Sequence, residues 1–176
     1  MKKEDPRRYL GKVVGDHYHI DGLIHEGAHC WVYRAVDETG HGVALKTPHS
    51  ASSTVAARFT KEVEVLRALP SDPHIAGYID FGSLDPSEEG EFLVYELVDG
   101  FSLAEGLSRH PKLHPNHAAQ FMVELCEAIK VLHQIGVVHR DIAPDNILIA
   151  YSGAIKLIGF GFIHDLRGSL NLLREE

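Results

Sequence analysis

An α+β fold built as two lobes is what this sequence predicts, and three observations carry it. Apolar residues alternate in short runs through the first half of the chain, they recur at helical spacing through the second, and both patterns break at Asp99-Gly100. A length of 176 residues suits one ordinary domain or two small lobes. With 44% hydrophobic and 24% charged residues the composition is globular, and neither disorder nor a fibrous repeat is indicated.

Taken in order, residues 1–16 read as an N-terminal tail, and residues 18–24, 30–37 and 42–47 as three short strands. The turn Glu38-Thr39-Gly40-His41 joins the last two. Residues 54–69 carry Val55, Phe59, Val63, Leu66 and Leu69 at helical spacing, and Pro70 closes the run. Glu62 lies three residues after Phe59 and four before Leu66, inside the apolar stripe. A carboxylate on a buried face needs a cationic partner or its pKa must rise, so Glu62 asks for a lysine.

Two more strands are expected at 75–81 and 91–97, separated by an acidic turn over 84–90, which makes five. A long helix is expected over 115–135, with Pro115 in its first turn and Gly136 past its end. Its apolar residues cover much of the circumference, so it is expected to be buried on most sides.

The charge balance, 17 Lys+Arg against 25 Asp+Glu for a net −8, argues against a nucleic-acid partner. No apolar run approaches the roughly 18 residues that span a bilayer. The opening Met1-Lys2-Lys3-Glu4-Asp5-Pro6 lacks a signal peptide's apolar stretch, so a cytoplasmic location and no membrane partner are expected. Cys30 and Cys126 form no CxxC pair, which argues against a disulfide framework or a structural zinc. Thirteen histidines are an excess, and five fall between His17 and His41.

The most specific signal is Val138-His139-Arg140-Asp141-Ile142-Ala143-Pro144-Asp145-Asn146-Ile147-Leu148-Ile149. It resembles the catalytic loop of protein kinases, in which an Asp accepts the substrate hydroxyl's proton and an Asn five residues on holds magnesium. Its wording is closer to bacterial serine/threonine kinases than to aminoglycoside phosphotransferases. Upstream, Val43-Ala44-Leu45-Lys46 resembles the family's phosphate-binding lysine strand, and Glu62 stands where the family has that lysine's partner. Glu91-Phe92-Leu93-Val94-Tyr95-Glu96-Leu97-Val98 resembles the strand and hinge beside adenine, with Tyr95 as gatekeeper and the Glu96 and Val98 backbones facing the base. Val32, Ala44 and Leu148 match positions that sandwich adenine, while Leu66, Tyr78, His139 and Phe160 match the column that stacks the two lobes.

The resemblance implies a protein-kinase-like bilobal fold. Residues 17–98 would form an N-lobe with a five-stranded antiparallel sheet and a helix C, and residues 99–176 a truncated, mainly helical C-lobe ending at the start of the activation segment. It implies Asp141 as a vestigial base, Lys46 and Glu62 as its catalytic companions, and Gly27, Val32, Ala44, Lys46, Tyr95, Glu96, Val98 and Leu148 as nucleotide contacts.

Departures from the family bear on activity. Gly159-Phe160-Gly161 stands where the family has Asp-Phe-Gly, so the second magnesium ligand is missing and Asn146 is left as a weak metal position. Of three loop glycines in the family, His25-Glu26-Gly27-Ala28-His29-Cys30 keeps the second alone, although backbone N–H groups must approach the phosphates closely there. Ala143 replaces a lysine usual in serine/threonine kinases.

The resemblance therefore implies a pseudokinase, a regulatory or scaffolding module that requires no cofactor, holds magnesium weakly or not at all, and leaves ATP or ADP binding open. The alternatives are a weakly active or atypical serine/threonine kinase using a single metal at Asn146, or a fragment of a longer kinase. The missing helices behind the long one predict an exposed apolar face taken by a protein partner or a second copy, unless Leu166, Leu170 and Leu173 fold back over it. His25, His29 and Cys30, with His17 or His41, form a candidate metal cluster, against the plainer reading of solvated strand and turn residues.

Overall fold

The computed structural model describes residues 5–49, 52–85, 88–166 and 168. The chain divides into two compact units: one runs to Phe59 and resumes over Tyr78–Leu97, the other takes Thr60–Gly77 and Val98 onward. The division after Leu97 lies one residue from the expected lobe boundary, whereas residues 60–77 group with the second unit.

The first unit is an antiparallel sheet of β1 (Val13–Val14), β2 (Tyr18–Glu26), β3 (Cys30–Val36), β4 (Gly42–Pro48), β5 (Tyr78–Asp85) and β6 (Glu88–Glu96), ordered β1-β2-β3-β4-β6-β5. It carries one strand more than the five expected. The extra strand comes from what reads as a tail: Pro6–Tyr9 forms a 3-10 turn and Val13–Val14 pairs with β2. Tyr9 and Val14 are buried in the sheet's core, Tyr33 Oη donates to Pro6 O at 2.6 Å, and the Tyr9 and Tyr33 rings meet edge to face. Burial of apolar surface is what recruits this segment, and the two short pairs Tyr9-Leu10 and Val13-Val14 in a polar stretch do not announce it.

The sheet curls until its ends meet. Tyr18 on β2 donates to Asp80 Oδ2 on β5 at 3.1 Å although three strands lie between them in the sheet order. Burial, followed by the Asp80 carboxylate, pushes the Tyr18 hydroxyl up to about 12. Phe92 plugs the closure: a methyl group at Gly82 would sit 2.8 Å from its Cζ, and one at Gly15 2.5 Å from it. Glycine is required at both by close approach.

Strand β5 begins at Tyr78, three residues later than expected, because Ile75 bridges Leu157 of the second unit and leaves the sheet. Helix α1 (Ser53–Ala68) starts where Ser52 Oγ accepts the Val55 N–H at 3.4 Å.

The second unit holds α2 (Leu103–Arg109), α3 (Pro115–Gln134), the sheet β7 (Gly100–Ser102), β9 (Ile147–Ala150) and β10 (Ile155–Leu157), and the pair β8 (Val137–Val138) with β11 (His164–Asp165). Helix α2 escapes apolar periodicity, but Ser102-Leu103-Ala104-Glu105 carries a capping pattern, and Ser102 Oγ accepts the Glu105 N–H at 3.1 Å. Helix α3 stops at Gln134, with Ile135 as its C-cap and Gly136, φ +80, just past its end as the sequence indicates.

The expected burial of α3 on most sides is wrong. Leu125, Ala128 and Leu132 are buried, whereas Met122 and Val123 are 57% and 60% exposed. Its main contacts among the described elements are with β8 and β10. Leu170 and Leu173, the residues expected to fold back, lie outside the described residues; Leu166 is exposed. No helix among the described residues is long and apolar enough to cross a membrane.

Candidate functional site

In the first unit, pairing register decides which side chains share a face. Lys46 on β4 stands opposite Val32 on β3 and Leu93 on β6, and Ala44 stands opposite Tyr95. Directly opposed residues point the same way. Val32, Ala44, Lys46 and Tyr95 therefore line one face, while Trp31, Tyr33, Leu45, Phe92 and Val94 fill the core on the other. Glu96 closes β6 opposite Val43.

Gly27 sits at the tip of the β2–β3 hairpin, where its N–H donates to Cys30 O at 2.9 Å. His49 stacks on Trp31 with ring centroids 5.1 Å apart and brings Nε2 within 3.3 Å of Gly27 O. The tip is thus fastened by a histidine at the end of β4. His25 and His29 are exposed and Cys30 is a half-buried free thiol. The candidate metal cluster does not assemble: no group of three or more His, Cys, Asp or Glu among the described residues could hold an ion.

The second unit gathers the catalytic-loop residues. Glu62 is buried on α1, as its place in the apolar stripe requires, and a methyl at Gly161 would lie 3.6 Å from its Oε2. Lys46 belongs to the first unit and Glu62 to the second; Val98 and Leu148 belong to the second as well. Leu148 is positioned by β9, where it pairs with Ser102 and Lys156.

His139 is 1% exposed and fully engaged. Its Nε2 lies 3.0 Å from Ile158 O and its Nδ1 3.3 Å from the Asp141 nitrogen, which assigns a neutral ring with the proton on Nε2. Burial holds its pKa below the usual histidine value, against the opposing pull of Ile158 O, Asp141 and Glu62. Phe160 packs on it edge to face at 5.1 Å, so two members of the expected stacking column touch; Leu66 is buried in the same unit, and Tyr78, half-buried, belongs to the other.

Asn146 Nδ2 donates to Asp141 O and Asp141 Oδ2, each at 2.9 Å. Gly159 follows β10 in the left-handed region, φ +82, and its α-carbon faces the Asn146 side chain. A magnesium ion shared by two side chains does not fit these donors. Gly159 supplies none, and a Cβ there would lie 2.6 Å from Asn146 Cγ, so the amide occupies the space where a second ligand would begin.

One polar cluster was missed from the sequence. His74 places Nδ1 3.6 Å from Glu124 Oε2 and Nε2 3.3 Å from Glu127 Oε2 on α3, and Glu124 Oε2 also accepts the Ile155 N–H at 2.9 Å. The available signal is the one that singles out Glu62: Glu124 lies three residues after Phe121 and four before Ala128, within the apolar stripe.

Residues 18–174 match the family described as Protein kinase domain. The chain is similar to the serine/threonine-protein kinase PknA of Mycobacterium tuberculosis (strain ATCC 25177 / H37Ra), 34% identical over 158 residues that make up 86% of this chain and 36% of that protein. It is also similar to the serine/threonine-protein kinase PrkC of Bacillus subtilis (strain 168), 33% identical over 156 residues, 86% of this chain and 24% of that protein. The chain thus spans between a quarter and about a third of the length of these relatives. On its catalytic-loop residues, its α+β architecture and this match, the chain belongs to the protein kinase domain family.

Proposed function

We propose that this chain is a kinase-like module whose phosphoryl-transfer chemistry is impaired and which works in the cytoplasm as a regulatory or scaffolding element. The observation that carries the reading is Gly159, a residue without a side chain at the position of the family's second metal ligand. A metal clamp on transferring phosphates is worth several kcal/mol of transition-state stabilisation, and each ~1.4 kcal/mol is tenfold in rate. Loss of the clamp therefore lowers turnover by orders of magnitude. The substituted hairpin tip at His25, His29 and Cys30, and Ala143 in place of a lysine, point the same way.

Nucleotide binding without magnesium belongs to this reading, with Gly27, Val32, Ala44, Lys46, Tyr95, Glu96, Val98 and Leu148 as its residues. Thermal unfolding with ATP and ADP, with and without magnesium, tests it. Nucleotide at a hundred times its Kd stabilises the fold by about 2.7 kcal/mol. No shift at millimolar nucleotide leaves a purely protein-binding role.

A second reading, a weakly active serine/threonine kinase, is favoured by the ordered Asp141 carboxylate, held by Asn146 as a base would need to be. A sensitive ATP-turnover assay with Asp141→Asn as control separates the two: turnover abolished by that change overturns the first reading. The partner in the first reading is a protein or a second copy seated on the exposed α3 face at Met122 and Val123. Light scattering at high concentration that returns a strict monomer, together with no apolar dye binding, counts against it.

A further inference from the structure

His49 holds the tip of the β2–β3 hairpin at two points. Its backbone N–H donates to His29 O at 3.2 Å, and its half-buried ring brings Nε2 within 3.3 Å of Gly27 O. A carbonyl oxygen can only accept, so Nε2 carries the proton and donates, in the neutral ring as in the protonated one. The ring is itself placed by Trp31, 1% exposed, on which it stacks at 5.1 Å. Gly27 is confined from other directions too. Its N–H donates to Cys30 O at 2.9 Å, and a methyl on its α-carbon would meet Cys30 O at 3.1 Å and His25 Nε2 at 3.3 Å.

This clasp fixes a direction as well as a place. Trp31 lies on the core face of the sheet, and its neighbour Val32 lies on the opposite face with Lys46. His49 draws the Gly27 carbonyl to the Trp31 side. The Gly27–Ala28 peptide is trans, and in a planar trans peptide the carbonyl oxygen and the next N–H point opposite ways. The Ala28 N–H is therefore turned away from Trp31, toward the side that carries Lys46. Backbone N–H groups aimed from a turn are anion donors, and fixing one before binding spares the cost of ordering it.

We propose that His49 is a positioning residue for phosphate recognition: by holding Gly27 O it presents the Ala28 N–H to the phosphate chain of a nucleotide. The inference rests on the reading that this chain binds nucleotide without magnesium, and it names a donor that the substituted hairpin tip retains.

Calorimetric titration of the full chain with ADP and with adenosine, both without magnesium, separates the phosphate chain from the base. His49→Phe keeps a ring against Trp31 and removes the donor. It is expected to weaken ADP by about three- to tenfold, the worth of one positioned hydrogen bond, and adenosine by less than about twofold. Equal weakening of the two ligands, or unchanged ADP affinity, overturns the proposal. Should His49→Phe not accumulate as folded protein, His49→Ala takes its place with the same expectations.

Amide hydrogen exchange without nucleotide decides the clasp separately. The Gly27 N–H is expected to exchange about five- to tenfold faster in the variant than in the wild type, while the buried Tyr33 and Leu45 keep their rates. An unchanged Gly27 rate overturns the proposal. If the wild type binds neither ligand, the nucleotide reading fails, and the exchange comparison alone upholds or overturns the clasp.

Discussion

His139 carries Asp141 through the backbone: its Nδ1 accepts the Asp141 N–H at 3.3 Å while Nε2 donates to Ile158 O at 3.0 Å. The ring joins the catalytic loop to the residue before Gly159 only in its neutral state, because protonation would put a second proton where Nδ1 accepts.

That relationship sets a pH dependence. Burial keeps the folded His139 pKa below the unfolded value of about 6.5. Between the two values the unfolded chain binds a proton that the folded chain does not, so stability rises with pH there and is lost as pH falls below about 6.5. Urea midpoints at pH 7 and pH 5 should differ less for His139→Gln than for the wild type. An acid loss of the same size in both would show that His139 is not its source.

Glu124 makes a different prediction. Its Oε2 is the acceptor for the Ile155 N–H at 2.9 Å, and Ile155 is fully buried. Glu124→Ala orphans that donor at a cost of about 1–3 kcal/mol, whereas Glu124→Gln keeps an acceptor oxygen and should recover more than half of it. Chemical denaturation of the three proteins checks the order.

The closure of the first sheet is tested at Gly82. A methyl there meets the Phe92 ring at 2.8 Å, so Gly82→Ala should destabilise by about 1–3 kcal/mol through overpacking. Phe92→Leu in the same chain should relieve part of that, although alone it leaves a cavity. Equal costs of Gly82→Ala with Phe92 and with Leu at 92 would place the strain elsewhere.

Tyr9 should behave as a core residue. Tyr9 is 3% exposed and packs on Tyr33. Tyr9→Ala is expected to cost about 3–5 kcal/mol, the range for a deleted buried aromatic, and to bring early proteolysis of this segment. A change under about 1 kcal/mol would return the segment to the status of a tail.

What was legible in the sequence follows from how local each signal is. Strand alternation, the helical spacing of Phe59, Glu62 and Leu66, and the stop at Gly136 are short-range patterns, and the elements fall within a few residues of where those patterns put them. The catalytic loop is legible for another reason: Asp141 and Asn146 lie five residues apart in one segment, so their spacing survives in the text. Long-range pairings leave no such trace. Nothing near Tyr9 in the sequence names Tyr33, and nothing near His74 names Glu124.

The sequence by itself determined the class of fold, the family and the absence of a carboxylate at position 159, because each is a matter of residue type and local order. Only the tertiary structure decided what fills that place. The side chain of Asn146 lies against the Gly159 α-carbon because a chain that turns left-handed at φ +82 brings the two together, and van der Waals overlap, which depends on distances no sequence contains, forbids anything larger.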